Sequence, residues 1–278
     1  MSPDPHFAPV LSQHAIERCS AAVGLKPALP EKAFVRLIEA AAKDLETRGF
    51  RRQAVSSFGV EVGPDGQFKT LAPSPDMPQV FVSSTQSEHL TISPAGFNWT
   101  STSYVRWQPF IGGFEQIVLP YLSKALETVS VSAVKLEYWD RFYWSGDWTN
   151  FDATRLLKKS DYASGLLSRP REWHSHVGWF EAIEAYRRLV NVNIDVVEMT
   201  TSPDIVPRPS IGIYSSLTDQ ANVPAYGETP EQALNERFVI ERLEAQHLAL
   251  KEILGHIITD EMSNRIGLFS RTSQNARP

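Results

Sequence analysis

The chain has a single cysteine, Cys19, in 278 residues. No intrachain disulfide can form, and no thiolate cluster can hold zinc or iron–sulfur. That usage suits a reducing cytoplasm. Positive charge is not in excess either: 27 Lys and Arg stand against 32 Asp and Glu, a net charge of -5. No global field pulls such a chain onto phosphates or anionic lipid, so neither nucleic acid nor a membrane is expected as a partner. Long hydrophobic runs are missing. The richest stretch, Trp107 to Leu122, contains Glu115, Gln116 and Pro120 and falls short of the ~20 apolar residues that span a bilayer. Met1 to Val10 carries prolines, an aspartate and a histidine where a secretory leader needs basic residues and an apolar run, so a cytoplasmic location is expected. Also absent are a phosphate-binding Walker loop, a dinucleotide glycine fingerprint, a nucleophile elbow and a His-Glu-x-x-His pair. The commonest recognisable enzymes are thereby removed, no cofactor is expected, and the reading leans away from an enzyme.

What is present is an ordinary globular composition, 42% hydrophobic and 21% charged, outside the regime of disordered chains. Phe34, Leu37, Ile38, Ala41 and Leu45 recur at helical spacing between Pro30 and Gly49, and Trp107, Phe110, Phe114, Ile117 and Tyr121 mark a second helix that Pro120 should kink or split. His14 to Val23, Phe58 to Val62, Gln79 to Ser83 and His89 to Ile92 read as strands. In Val131 to Trp144, Val134, Leu136, Tyr138 and Phe142 alternate with Lys135, Glu137, Trp139 and Arg141, and Val190 to Val196 alternates with Leu189, Asn191, Asn193 and Asp195. Ile211 and Ile213 suggest a neighbouring strand. Thr229-Pro230-Glu231-Gln232 has the form of a capping box opening a long final helix. The expected fold class is α+β, a mixed, mainly antiparallel sheet with packed helices. The element order admits two similar strand-helix-strand-strand halves, 1–129 and 130–269, followed by a flexible tail, 270–278.

Three constellations carry chemistry. Asp140 falls on the otherwise apolar face of its strand, where a carboxylate costs several kcal/mol unless it is paired; pairing with Arg141 or another basic residue is therefore expected, either structurally or at a ligand site. Trp139, Arg141 and Tyr143 share the opposite face, and with Asp140 they form the candidate ligand-binding set. His174-x-His176 would place two imidazoles on one side of a strand, with Asp140, Glu172 or His89 as a third metal ligand; two histidines at this spacing more often lie on an ordinary solvent face. Arg51-Arg52, Lys158-Lys159 and Arg187-Arg188 would support nucleic-acid binding only if they formed one basic face.

Ala8-Pro9-Val10 with Ala15-Ile16-Glu17, Trp107 to Phe114, the run Val131 to Phe142, and His247 through Asp260 together resemble a sporadically distributed family of uncharacterised bacterial proteins, often carried in mobile genetic islands. The resemblance covers nearly the whole chain through loose hydrophobic patterns. The family pattern usually has a basic residue and an asparagine where this chain has Glu137 and Asp140, so a ligand read there would differ. What the resemblance implies is a role in mobile-element conflict or regulation, with no catalytic residue to carry over. Together these readings point to a module that binds a protein or a small ligand, with a homo-oligomer allowed. The alternative is a metal-assisted hydrolase using His174 and His176.

Overall fold

The alternation of Val131 to Trp144 becomes the strand that organises the chain. In the computed structural model, β9 runs Ser130–Trp144, with every second residue from Val134 to Trp144 buried and the residues between them half-buried. The structure describes residues 6–11, 13–53, 59–62, 68–71, 77–163, 165–183, 186–200, 207–224 and 234–269. Among them the architecture is α+β, with five helices and a mainly antiparallel sheet. Two compact units are interleaved along the chain rather than consecutive. One comprises Met1–Cys19, Lys135–Pro230 and Glu241–Pro278; the other comprises Ser20–Val134 and Glu231–Ile240.

In the first unit, β10 (Trp173–Ile183), β11 (Tyr186–Met199) and β12 (Arg208–Pro224) lie in the order β10-β11-β12-β9, and β1 (Phe7–Pro9) pairs with the end of β9, Phe7 opposite Trp144. One face of this sheet is closed by apolar packing. Phe142, Val192, Ile194, Ile211 and Ile213 share a core with Leu254, Ile257 and Met262, which come from the helices α4 (Glu236–Ile257) and α5 (Asp260–Arg265). The expected opening of the last helix at Thr229 to Gln232 lies outside the described residues. Positions 234 and 235 are not helical; α4 begins at Glu236, where Asn235 Oδ1 accepts the Phe238 N–H at 3.1 Å. α4 ends at Ile257, and Thr259 caps α5 through Met262 N. The tail 270–278 is outside the described residues.

In the second unit the order is β2-β8-β7-β6-β3, formed by β2 (Ile16–Lys26, entering this unit at Ser20), β3 (Phe50–Gln53), β6 (Gln79–Ser83), β7 (Glu88–Ser93) and β8 (Gly96–Ser101). β4 (Gly59–Val62) and β5 (Phe68–Leu71) make a separate antiparallel pair. The helix α1 (Glu31–Thr47) buries the predicted stripe Phe34, Leu37, Ile38, Ala41 and Leu45, and Gly49, at φ 81°, turns the chain into β3. Pro120 acts as expected. It sits in the first turn of α3 (Leu119–Leu126), cannot donate an amide proton to α2 (Trp107–Ile117), and the two helices divide at Val118.

Candidate functional site

The face of the first unit's sheet that α4 and α5 do not cover is polar and half-open. Alternation puts Trp139, Arg141 and Tyr143 of β9 on it, and cross-strand register adds the rest. Asp195 and Asn193 of β11 stand opposite Gly212 and Tyr214 of β12, and opposite His174 and His176 of β10. A pocket of about 380 Å³ opens here, lined by Trp139, Arg141, Asn193, Asp195, Gly212 and Tyr214, and by Asp140 and Ile213 beneath.

Each side chain is held by neighbours on the same face. The Trp139 ring carries the Arg18 guanidinium 3.5 Å from its centroid and meets the Tyr214 ring at 4.8 Å. Tyr214 donates its hydroxyl to Glu137 at 3.0 Å, and burial pushes its phenol above the ordinary value. Arg141 donates from Nε to Glu17 at 3.2 Å and from Nη1 to Ser210 at 3.3 Å, and its side chain is only 13% exposed. Its guanidinium lies over Gly212: a Cβ there would stand 2.9 Å from both Nη1 and Nη2. Glycine is what allows that approach. His174 Nδ1 bonds Asp195 Oδ1 at 2.5 Å, while the buried Oδ1 of Asn193 has no hydrogen-bond partner among the described residues. A buried acceptor left open is costly unless something external fills it.

The sequence candidates are thus divided. Trp139 and Arg141 line the pocket; Tyr143 shares their face but pairs with Ala8 of β1. Asp140 is buried, 3% exposed, but the expected pairing with Arg141 or another basic residue is corrected: Arg141 turns to the other face and engages Glu17, no ion pair to Asp140 is formed among the described residues, and Asp140 Oδ1 has no hydrogen-bond partner among them. Neighbours along a strand project to opposite sides, so the two could not meet. Desolvation pushes the Asp140 carboxyl up to about 7. His174 and His176 are both exposed on the pocket side. The third ligands proposed for them are engaged or averted: Glu172 accepts the Glu198 amide, His89 bonds the Gln86 carbonyl, and Asp140 faces the core. Among the described residues no group of three His, Cys, Asp or Glu is arranged to hold a metal ion. The basic-face set also comes apart, since Arg188 is buried in an ion pair with Asp219.

Beneath the sheet, Tyr138 Oη and His247 Nδ1 are hydrogen-bonded at 2.8 Å, and burial, with Lys251 nearby, holds His247 down to about 3. Cys19 is fully buried and its thiol is pushed well above its ordinary value, which keeps it protonated and inert as a nucleophile. Gly212, Tyr214, Asn193 and Asp195 were not singled out as ligand residues by sequence; the only signal was that Asn193 and Asp195 lie on the wet side of an alternating strand. Among the described residues, no helix is long and apolar enough to cross a membrane. Comparison of the chain with protein-family models, with curated proteins and with solved structures finds no match.

Proposed function

We propose that the chain is a binding module and that the pocket between Trp139, Arg141, Asn193 and Tyr214 receives a small polar ligand. The observation that carries this is a largely buried arginine laid over a glycine floor, in the same concavity as Asn193, whose buried Oδ1 has no hydrogen-bond partner among the described residues. Binding sites typically combine an aromatic wall with a few fixed polar groups, and a volume of this size is within the usual range. The arginine is already ordered by Glu17 and Ser210, so little side-chain entropy is lost on binding. The family resemblance extends the proposal to a role in mobile-element conflict or regulation.

The test is a screen of small polar fragments against the isotope-labelled full chain, read by amide chemical shifts. Fragments should move the amides of Asn193, Gly212 and Tyr214. Gly212→Val should abolish those shifts, because its side chain displaces the guanidinium and fills the floor, while the shifts of the Tyr138 and Phe142 amides report that the fold is intact. A screen in which no fragment moves these three amides overturns the proposal.

A further inference from the structure

We infer that the ligand is a small zwitterion, one molecule carrying a carboxylate and an N–H cation a few ångströms apart, with the free α-amino acid as its simplest form; this rests on the pocket proposed above. The reason is the placement of opposite charges on either side of Gly212. On one side the Arg141 guanidinium lies directly over the glycine. On the other, Asp195 stands opposite Gly212 in the β11–β12 register, one strand spacing away, roughly 4.8 Å. Yet Arg141 pairs with Glu17 and Asp195 is hydrogen-bonded by His174, and no ion pair among the described residues joins Arg141 to Asp195. The two charges flank the floor without closing on each other.

Their remaining hydrogen-bonding capacity is complementary. A guanidinium has five N–H donors, and Arg141 commits Nε to Glu17 and one Nη1 proton to Ser210. The rest can grip a carboxylate in the two-pronged geometry that arginine favours. Across the floor, Asp195 Oδ1 is taken by His174, the Asp195 side chain remains 40% exposed, and Asn193 Oδ1 is an acceptor with no donor among the described residues. A simple anion would satisfy Arg141 but would face the Asp195 carboxylate and leave Asn193 unfilled. A simple cation would satisfy Asp195 and Asn193 but meet the guanidinium. Only a ligand with both ends serves both sides, and like-charge juxtaposition rejects the other two. The Trp139 and Tyr214 rings beside the floor supply contact for an apolar or aromatic side group.

The experiment titrates the full chain with L-phenylalanine, 3-phenylpropanoate, L-phenylalaninamide and N-acetyl-L-phenylalanine, then with the other common L-amino acids, by calorimetry and amide shifts. At least one free amino acid should bind with shifts at Asn193, Gly212 and Tyr214, and removing either charged end should weaken it about tenfold or more. Asp195→Asn should weaken the amino acid by a similar factor and leave 3-phenylpropanoate as tight or tighter, since it removes a negative charge from the anion's path. Asn193→Ala should weaken the amino acid alone. If 3-phenylpropanoate binds wild type as tightly as the amino acid, or no amino acid moves the three amides although other polar fragments do, the zwitterion is overturned and the pocket stands. If nothing moves them, both fall.

Discussion

Arg188 and Asp219 face each other across β11 and β12 and are joined twice on the core side of the sheet, Nε to Oδ1 at 2.6 Å and Nη2 to Oδ2 at 2.9 Å. They are 4% and 0% exposed, so neither charge is solvated; Asp219 is the close partner of Arg188, and Glu181 stands off at 4.0 Å. Asp219→Ala should therefore destabilise the protein by about 3 kcal/mol, because it leaves a buried guanidinium with only the distant Glu181 carboxylate. Replacing both together, Arg188→Met with Asp219→Leu, should recover most of that loss. Urea unfolding of the parent and the two variants checks it; a double variant no more stable than Asp219→Ala would show that the pair is not the cause.

The turn between β7 and β8 rests on one residue. Gly96 has φ 150°, and a Cβ there would lie 2.1 Å from the Val23 carbonyl oxygen. Backbone cannot yield as a flexible side chain does, so Gly96→Ala should cost on the order of 2 kcal/mol or more. Gly113→Ala serves as a milder control, since its nearest neighbour is the Trp99 ring at 3.4 Å. Equal melting temperatures for the two variants would contradict the argument.

The elements legible in the sequence were those whose faces differ sharply. Val131 to Trp144 and Arg188 to Glu198 alternate cleanly because one side of each is core, and the α1 stripe is uninterrupted. Trp173–Ile183 was hard to recognise as an element because β10 lies at the edge of its sheet, where Trp173, Val177 and Trp179 are only half-buried and Phe180 is exposed. Gly96–Ser101 is short and rich in residues that also make turns. For the site, alternation alone separated Trp139 and Arg141 from Tyr138 and Phe142. What no local pattern carried was the register that sets Gly212 and Tyr214 opposite Asp195 and Asn193, since pairing between strands is a non-local property. The Asp140–Arg141 pair failed on the very alternation that exposed Asp140 as anomalous.

The start of α4 gives a smaller effect. Asn235 Oδ1 accepts the Phe238 N–H, filling one of the four donors a helix leaves open at its first turn. Asn235→Ala should cost about 1 kcal/mol, and Asn235→Asp or Asn235→Ser should restore most of it. Chemical denaturation distinguishes these; an Asp or Ser variant as weak as Ala would refute the cap.

Asp140 should shape how stability depends on pH, with His247 acting against it. Desolvation raises the folded Asp140 carboxyl from 3.8 to about 7. Below 3.8 it is protonated folded or unfolded and contributes no slope. Between 3.8 and about 7 the folded chain keeps a proton that the unfolded chain releases, so stability falls as pH rises, by roughly 1.4 kcal/mol per unit and by about 4 kcal/mol in all. His247 goes the other way. Burial lowers it from 6.5 to about 3, so over that window the unfolded chain holds the extra proton and stability rises with pH. In the shared window the two slopes oppose, and above 6.5 Asp140 alone continues to weaken the fold. Asp140→Asn keeps the shape and removes the carboxyl. Its stability should climb from pH 4 to 6.5, where the parent is flat, and should exceed the parent's at pH 8 by more than at pH 4. Urea unfolding at pH 4, 6 and 8 decides the matter, and a variant whose deficit grows towards pH 8 would mean that the ionised carboxylate is stabilised in the fold after all.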